Sequence, residues 1–334
     1  MRTPRRLTMI TAAVAALAIG TLSAPSARSE EKQENKYPGS IRIEYEVPKD
    51  PAMQKAYDTA KGARSLEMMQ VIFGSFRLPE DLYMKYVNCD GVPNAYFFRE
   101  NEKPTIRVCY EYLTSVYDMM PKENTAEGIT PREAFTGQLL FAVAHEFGHA
   151  VFDIYNLPVL GRQEDAADQF ATHFLLHFGG TLSQRLIWGA AYSYNDYMKH
   201  AKDKPKVTLP VIEFASDHGA PEQRFYNLVC IAYGFDPKIF ATVVEKGYLP
   251  DRRAKVCEFE YSNLSYAITK LVGPHLDQDK AEKAFETTET WSSAPFWQKP
   301  DAVPQALQEP QALNRQRAVQ PPQALQDPPA EQAR

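Results

Sequence analysis

His145, Glu146 and His149 stand in the order His-Glu-x-x-His within Leu139 to Ile154, a stretch that is apolar nearly all round. Residues four apart on a helix share a face, so both imidazoles can reach one ion. Glu146, one residue on, points beside that ion. There a carboxylate can take a proton from an attacking water and return it to a leaving amine. Two histidines and a glutamate in a core helix are costly to bury without a partner, and zinc suits this spacing. The third ligand is expected from Glu164-Asp165-Ala166-Ala167-Asp168. Glu164 and Asp168 are also four apart, so Glu164 can face the metal while Asp168 accepts the N–H of a ligating histidine. An acidic first helical turn favoured by the helix dipole is the plainer reading of the same pair. The connection is feasible: the first helix overshoots His149 by about 9 Å, and a seven-residue loop spans roughly 23 Å.

His173 and His177 form a second pair at the same spacing. They fall about 180° and 220° around the helix from Glu164, so they face away from the site, as surface or interhelix residues. Farther on, Ser216-Asp217-His218 precedes a helix starting at Glu222 and carrying Arg224, Tyr226 and Cys230. Amide hydrolysis puts charge on the tetrahedral oxygen, and a donor from a later segment can steady it. His218 is the candidate, followed by Arg224 or Tyr226, against the plainer reading of a loop histidine beside a helix cap.

The elements that must position these groups are partly legible. Thr130-Pro131-Arg132-Glu133 predicts a helix start, with a capping hydroxyl, proline at the first helical position and a glutamate that bonds back. Asn156 to Pro158 ends that helix, and Gly148 removes a side chain on the face toward the site. A second helix is expected over Ala166 to Phe178. Upstream, Ile41, Ile43, Tyr45 and Val47 alternate with polar residues as a half-buried strand. Met53 to Phe73 reads as helix and Thr105 to Tyr110 as strand. The pattern is α+β, predominantly helical with a small mixed N-terminal sheet, in one domain over residues 41–278.

Residues 1–29 have a charged start, an apolar run from Met9 to Leu22 and a small-residue segment, which together read as a signal peptide. The run is shorter than the roughly 20 residues a membrane anchor requires. Residues 30–40 read as a linker. Residues 279–334, with PQALQEP and PQALQDP, are too poor in apolar side chains to offset ordering entropy and read as a largely disordered tail. Export to the periplasm or medium is expected. In that setting Cys89, Cys109, Cys230 and Cys257 pair locally, Cys89 with Cys109 and Cys230 with Cys257, in preference to a four-cysteine zinc site. A charge of −5 without a dense Lys/Arg run argues against a nucleic-acid partner.

With HEFGH, EDAAD and DHGAPEQRFYNLVC in view, the chain resembles a bacterial family of metallopeptidases of the gluzincin group over about Ile41 to Val272. That resemblance implies a zincin-like domain, zinc on His145, His149 and Glu164, Glu146 as general base, Asp168 behind a ligand, and a peptide or protein substrate. It also implies that the strand at Thr105 to Tyr110 is the sheet edge along which an extended peptide lies. The 14 residues between His149 and Glu164 are fewer than in the best-known gluzincins, which leaves a smaller loop below the site. Two rivals come from other classes: a non-catalytic zinc-containing binding or chaperone-like protein on a peptidase fold, and a metal-free interaction protein. Retention of Glu146 speaks against the first, because a structural site needs ligands and no base.

Overall fold

Alternation of apolar and polar side chains builds the sheet. In the computed structural model, which describes residues 36–203, 216–282 and 284, four strands form one mixed sheet. They are β1 (Ile41–Tyr45), β2 (Leu82–Val87), β3 (Ala95–Glu100) and β4 (Lys103–Cys109), in the order β1-β2-β4-β3. β1, β2 and β4 are parallel, and β3 is antiparallel to β4. The register aligns Ile43, Met84, Ile106 and Phe97 in one row and Tyr45, Tyr86, Val108 and Ala95 in the next, so the apolar residues share a face. β1 stops two residues before the expected Val47, which is exposed. The signal-peptide region, most of the 30–40 linker and most of the 279–334 tail lie outside the described residues.

The sheet order corrects the expected edge. Asn101 and Glu102 both have positive φ, 48° and 65°, the pair of left-handed residues that closes a two-residue hairpin. The hairpin folds β4 back between β3 and β2, so the expected Thr105–Tyr110 strand is internal, ending at Cys109, and β3 is the edge on that side of the sheet. The expected helix over Met53 to Phe73 is likewise two helices, α1 (Gln54–Gly62) and α2 (Ser65–Phe73), broken at Arg64, whose φ is 53°. The break turns Leu66, Met69, Ile72 and Phe73 onto the core, and the Tyr45 hydroxyl holds the start of α2 by accepting the Leu66 N–H at 2.8 Å.

After α3 (Tyr110–Met119) the chain is helical: α4 (Pro131–Ile154), α5 (Gln163–Leu176), α6 (Gly180–Asp203), α7 (Pro221–Phe235), the short α8 (Thr242–Glu245) and α9 (Asp251–Ala254), and α10 (Cys257–Leu271). The Thr130–Glu133 capping box starts α4. Asn156, at φ 49°, ends it: its N–H reaches Asp153 O and the Leu157 N–H reaches Phe152 O, satisfying two terminal carbonyls.

Most of the α4 wall is apolar, with Val143, Ala144, Phe147 and Ala150 inaccessible to solvent. Phe147 stacks on Phe73 at 4.3 Å between centroids. α6 crosses α4 where Gly137 meets Gly189; a Cβ on Gly137 would lie 2.5 Å from the Leu186 carbonyl oxygen. Gly148 serves α5 and not the site: a Cβ there would meet the Phe170 ring at 3.1 Å and Ala167 Cα at 3.4 Å. The two expected disulfides, Cys89–Cys109 and Cys230–Cys257, are formed. Each adds about 3 kcal/mol by restricting the unfolded chain. No helix among the described residues is long and apolar enough to cross a membrane.

Candidate metal centre

α4 carries His145, Glu146 and His149 on its buried middle turns, and α5 begins with Gln163 and Glu164 directly opposite. His145 Nε2 lies 2.9 Å from Glu164 Oε2, His149 Nε2 lies 3.3 Å from the same oxygen, and the two Nε2 atoms are 3.2 Å apart. Around a tetrahedral ion with bonds of 2.0–2.1 Å, neighbouring ligand atoms sit roughly 3.3 Å apart. The three atoms therefore have the dimensions of one face of a zinc site.

The outer ring nitrogens explain why both Nε2 atoms point inward. His145 Nδ1 bonds Asp168 Oδ1 at 2.8 Å, and His149 Nδ1 bonds Gln163 Oε1 at 3.0 Å. With each Nδ1–H donated outward, each Nε2 is the nitrogen left to bind a metal once the proton it shares with Glu164 is displaced. Gln163 was not singled out by spacing. Its one sequence signal is that a ligating histidine needs an acceptor for its second nitrogen, and Gln163 adjoins Glu164. Asp168 is held in turn by Arg224 on α7, which donates from Nε at 2.7 Å and Nη2 at 2.8 Å.

The charges are strongly coupled. Burial raises the Glu164 carboxyl, but hydrogen bonds from His145, His149 and His218 hold it far below the carboxylate range. Burial also raises Asp168, and His145 and Arg224 bring it down to about 2. Burial lowers the His145 imidazole, and the bonds to Asp168 and Glu164 more than reverse this, pushing it up to about 9. The cluster thus stabilises positive charge at its centre. Glu146 has no hydrogen bond to any of these three atoms; burial raises its carboxyl, opposed by the nearby His145 and His149 and by the Phe97 backbone N–H.

His218 Nε2 reaches Glu164 Oε2 at 2.8 Å, and its Nδ1 lies 3.1 Å from Asp217 Oδ1. Its ring stacks on His145 with centroids 5.8 Å apart, so it flanks the Glu164 carboxylate at the cleft wall. Arg224 also lines the cleft, with its guanidinium committed to Asp168, while Tyr226 packs against Phe225 and is not part of the lining. His173 is buried against Tyr261 of α10, and His177 is exposed beside Phe235, so neither joins the cluster.

His145, Glu146, His149, Gln163, Glu164, His218 and Arg224 open into a cleft of about 560 Å³ lined from β3, α3, α4, α5, α6 and α7. The free side of β3 forms one rim. Asn94 O accepts the Cys109 N–H, so by alternation the backbone groups of Ala95 and Phe97 point away from β4, and both residues line the cleft.

Two imidazole nitrogens and a carboxylate oxygen converging beside a second carboxylate define a candidate metal centre on an α+β, mostly helical domain. A family described as "Putative metallopeptidase" matches residues 45–272, from the end of β1 to just past α10, and the chain belongs to that family. No curated protein and no solved structure matches the chain.

Proposed function

We propose that the chain is a zinc-dependent peptidase of the gluzincin type with a zincin-like fold, hydrolysing peptide bonds in an exported compartment. The observation that carries this reading is the face of three donors, His145 Nε2, His149 Nε2 and Glu164 Oε2, with pairwise distances of 2.9–3.3 Å and Glu146 alongside. Zinc held there would supply a Lewis acid that polarises the scissile carbonyl and makes water a nucleophile near neutral pH.

The chain's own groups do the rest. His145 and His149 are oriented by Asp168 and Gln163. Glu146 accepts the proton of the attacking water and delivers it to the departing amine; its buried, raised carboxyl makes it a stronger base than a solvated one. His218, oriented by Asp217, donates to the oxyanion as charge develops. The substrate backbone lies along the free edge of β3, pairing with Ala95 and adjoining residues. Periplasmic or secreted placement is supported by the apolar leader and is compatible with the two disulfides.

Elemental analysis of the purified chain and of Glu164→Ala tests the centre, with about one zinc per chain expected in the first and little in the second. A Glu146→Gln variant that keeps zinc and loses turnover supports the base. Zinc without turnover of any peptide by the parent chain would return the non-catalytic binding reading.

A further inference from the structure

β3 presents two sets of side chains. Ala95 and Phe97 lie on the helix side, opposite Val108 and Ile106 of β4, and both line the cleft. Tyr96 and Phe98 alternate with them onto the outer face of the sheet, opposite Arg107 and Thr105. On that face Tyr96, Phe98, Arg107, Lys85 and Tyr83 all stay partly exposed. The Tyr96 and Phe98 ring centroids are 5.5 Å apart, and the Arg107 guanidinium lies over the Phe98 ring at 4.8 Å from its centroid. Arg107 and Lys85 are both ion-paired with Glu100, so their charges already have a partner. Ring surface is therefore what this face offers to a chain arriving along the β3 edge. Tyr96 also borders the cleft, which makes the ring pair continuous with the site.

We propose, resting on the peptidase reading above, that Tyr96 and Phe98 select aromatic substrate side chains at two positions, two residues apart, on the outer face of the sheet. A chain that bonds to the outward backbone groups of Ala95 and Phe97 becomes the next strand, about 4.8 Å away. Its side chains then alternate as those of β3 do. Residues opposite Ala95 and Phe97 point into the cleft, and those opposite Tyr96 and Phe98 emerge on the outer face. Opposed side chains of neighbouring strands have Cβ atoms about 5 Å apart, and aromatic pairs at that distance stabilise a sheet relative to alanine. Selection of side chains thus follows the alternation of the strand as well as the shape of the cleft.

The test is cleavage of a positional-scanning peptide library by the zinc-loaded full chain, with each cut located by mass spectrometry, beside the variants Phe98→Thr and Tyr96→Thr. Threonine keeps the strand propensity of these positions and removes the ring. In the parent chain, aromatic side chains are expected to be favoured over alanine about threefold at each of two positions separated by one residue. Phe98→Thr should abolish the preference at one of these positions and Tyr96→Thr at the other, with the selection at the residue between them unchanged in both. Cleavage without any such paired preference overturns the proposal and leaves the peptidase reading standing. So does a paired preference that survives both variants. If the zinc-loaded chain cuts no member of the library, the peptidase reading falls and this selection with it.

Discussion

Arg224→Met separates two roles for one residue. In sequence, Arg224 is a possible oxyanion donor; in the structure its Nε and Nη2 hold Asp168, which holds His145. The Arg224 and Asp168 side chains keep only 22% and 13% of their exposure. Removing one partner of a buried pair costs 3–5 kcal/mol, because the remaining charge is left desolvated. Here about 3 kcal/mol is expected, since Asp168 retains His145 as a partner and water reaches part of the site. Zinc affinity should fall about tenfold, the low end for groups behind a metal ligand, because Arg224 acts through Asp168. Urea unfolding of the metal-free protein measures the first effect, and chelator competition measures the second. With zinc saturating, turnover should stay within about tenfold of the parent. Unchanged stability and zinc affinity, with kcat reduced by 10² or more, would refute this reasoning and return Arg224 to the oxyanion.

Glu146→Gln should retain stoichiometric zinc and lose about 10²–10⁴ in kcat, measured on a peptide pool, because only the proton acceptor is removed. Zinc binding to the metal-free protein must displace the proton that His145 holds with a pKa of about 9. Apparent affinity should therefore climb by up to tenfold per pH unit towards pH 9 and then level off, read by competition with a chelator of known pH dependence. The same raised pKa means that the metal-free fold is favoured by protonated His145 below about pH 6.5 and loses that contribution as pH rises through 9, which urea midpoints across this window would detect. Gly137→Ala sets a methyl 2.5 Å from the Leu186 carbonyl oxygen; about 3 kcal/mol of overpacking against about 1 kcal/mol of helix propensity predicts a net loss near 2 kcal/mol. A thermal midpoint equal to or above that of the parent would contradict the close α4–α6 crossing.

Several features were legible because their causes are local. The i,i+4 spacing puts His145 beside His149 wherever that helix forms, and the Thr130–Glu133 capping box starts the helix from within four residues. The disulfides close loops of 20 and 27 residues, short enough for nearest pairing to be right. Glu164 and Asp168 share a helix face for the same periodic reason. Other features depend on contacts between segments far apart in the chain. Parallel pairing of β4 with β2, Tyr83 against Thr105, puts β4 inside the sheet and leaves β3 as the rim, reversing the expected edge. Gly148 faces the site or α5 according to where α5 docks, and α5 docks with Ala167 and Phe170 against it. Arg224 meets Asp168 across 56 residues, and Gln138 meets Tyr112 across 26, through helix packing that no periodicity encodes. Helical and strand periods determine which side chains share a face. Which face meets which is decided by burial of the whole apolar surface at once, and only the folded chain carries that result.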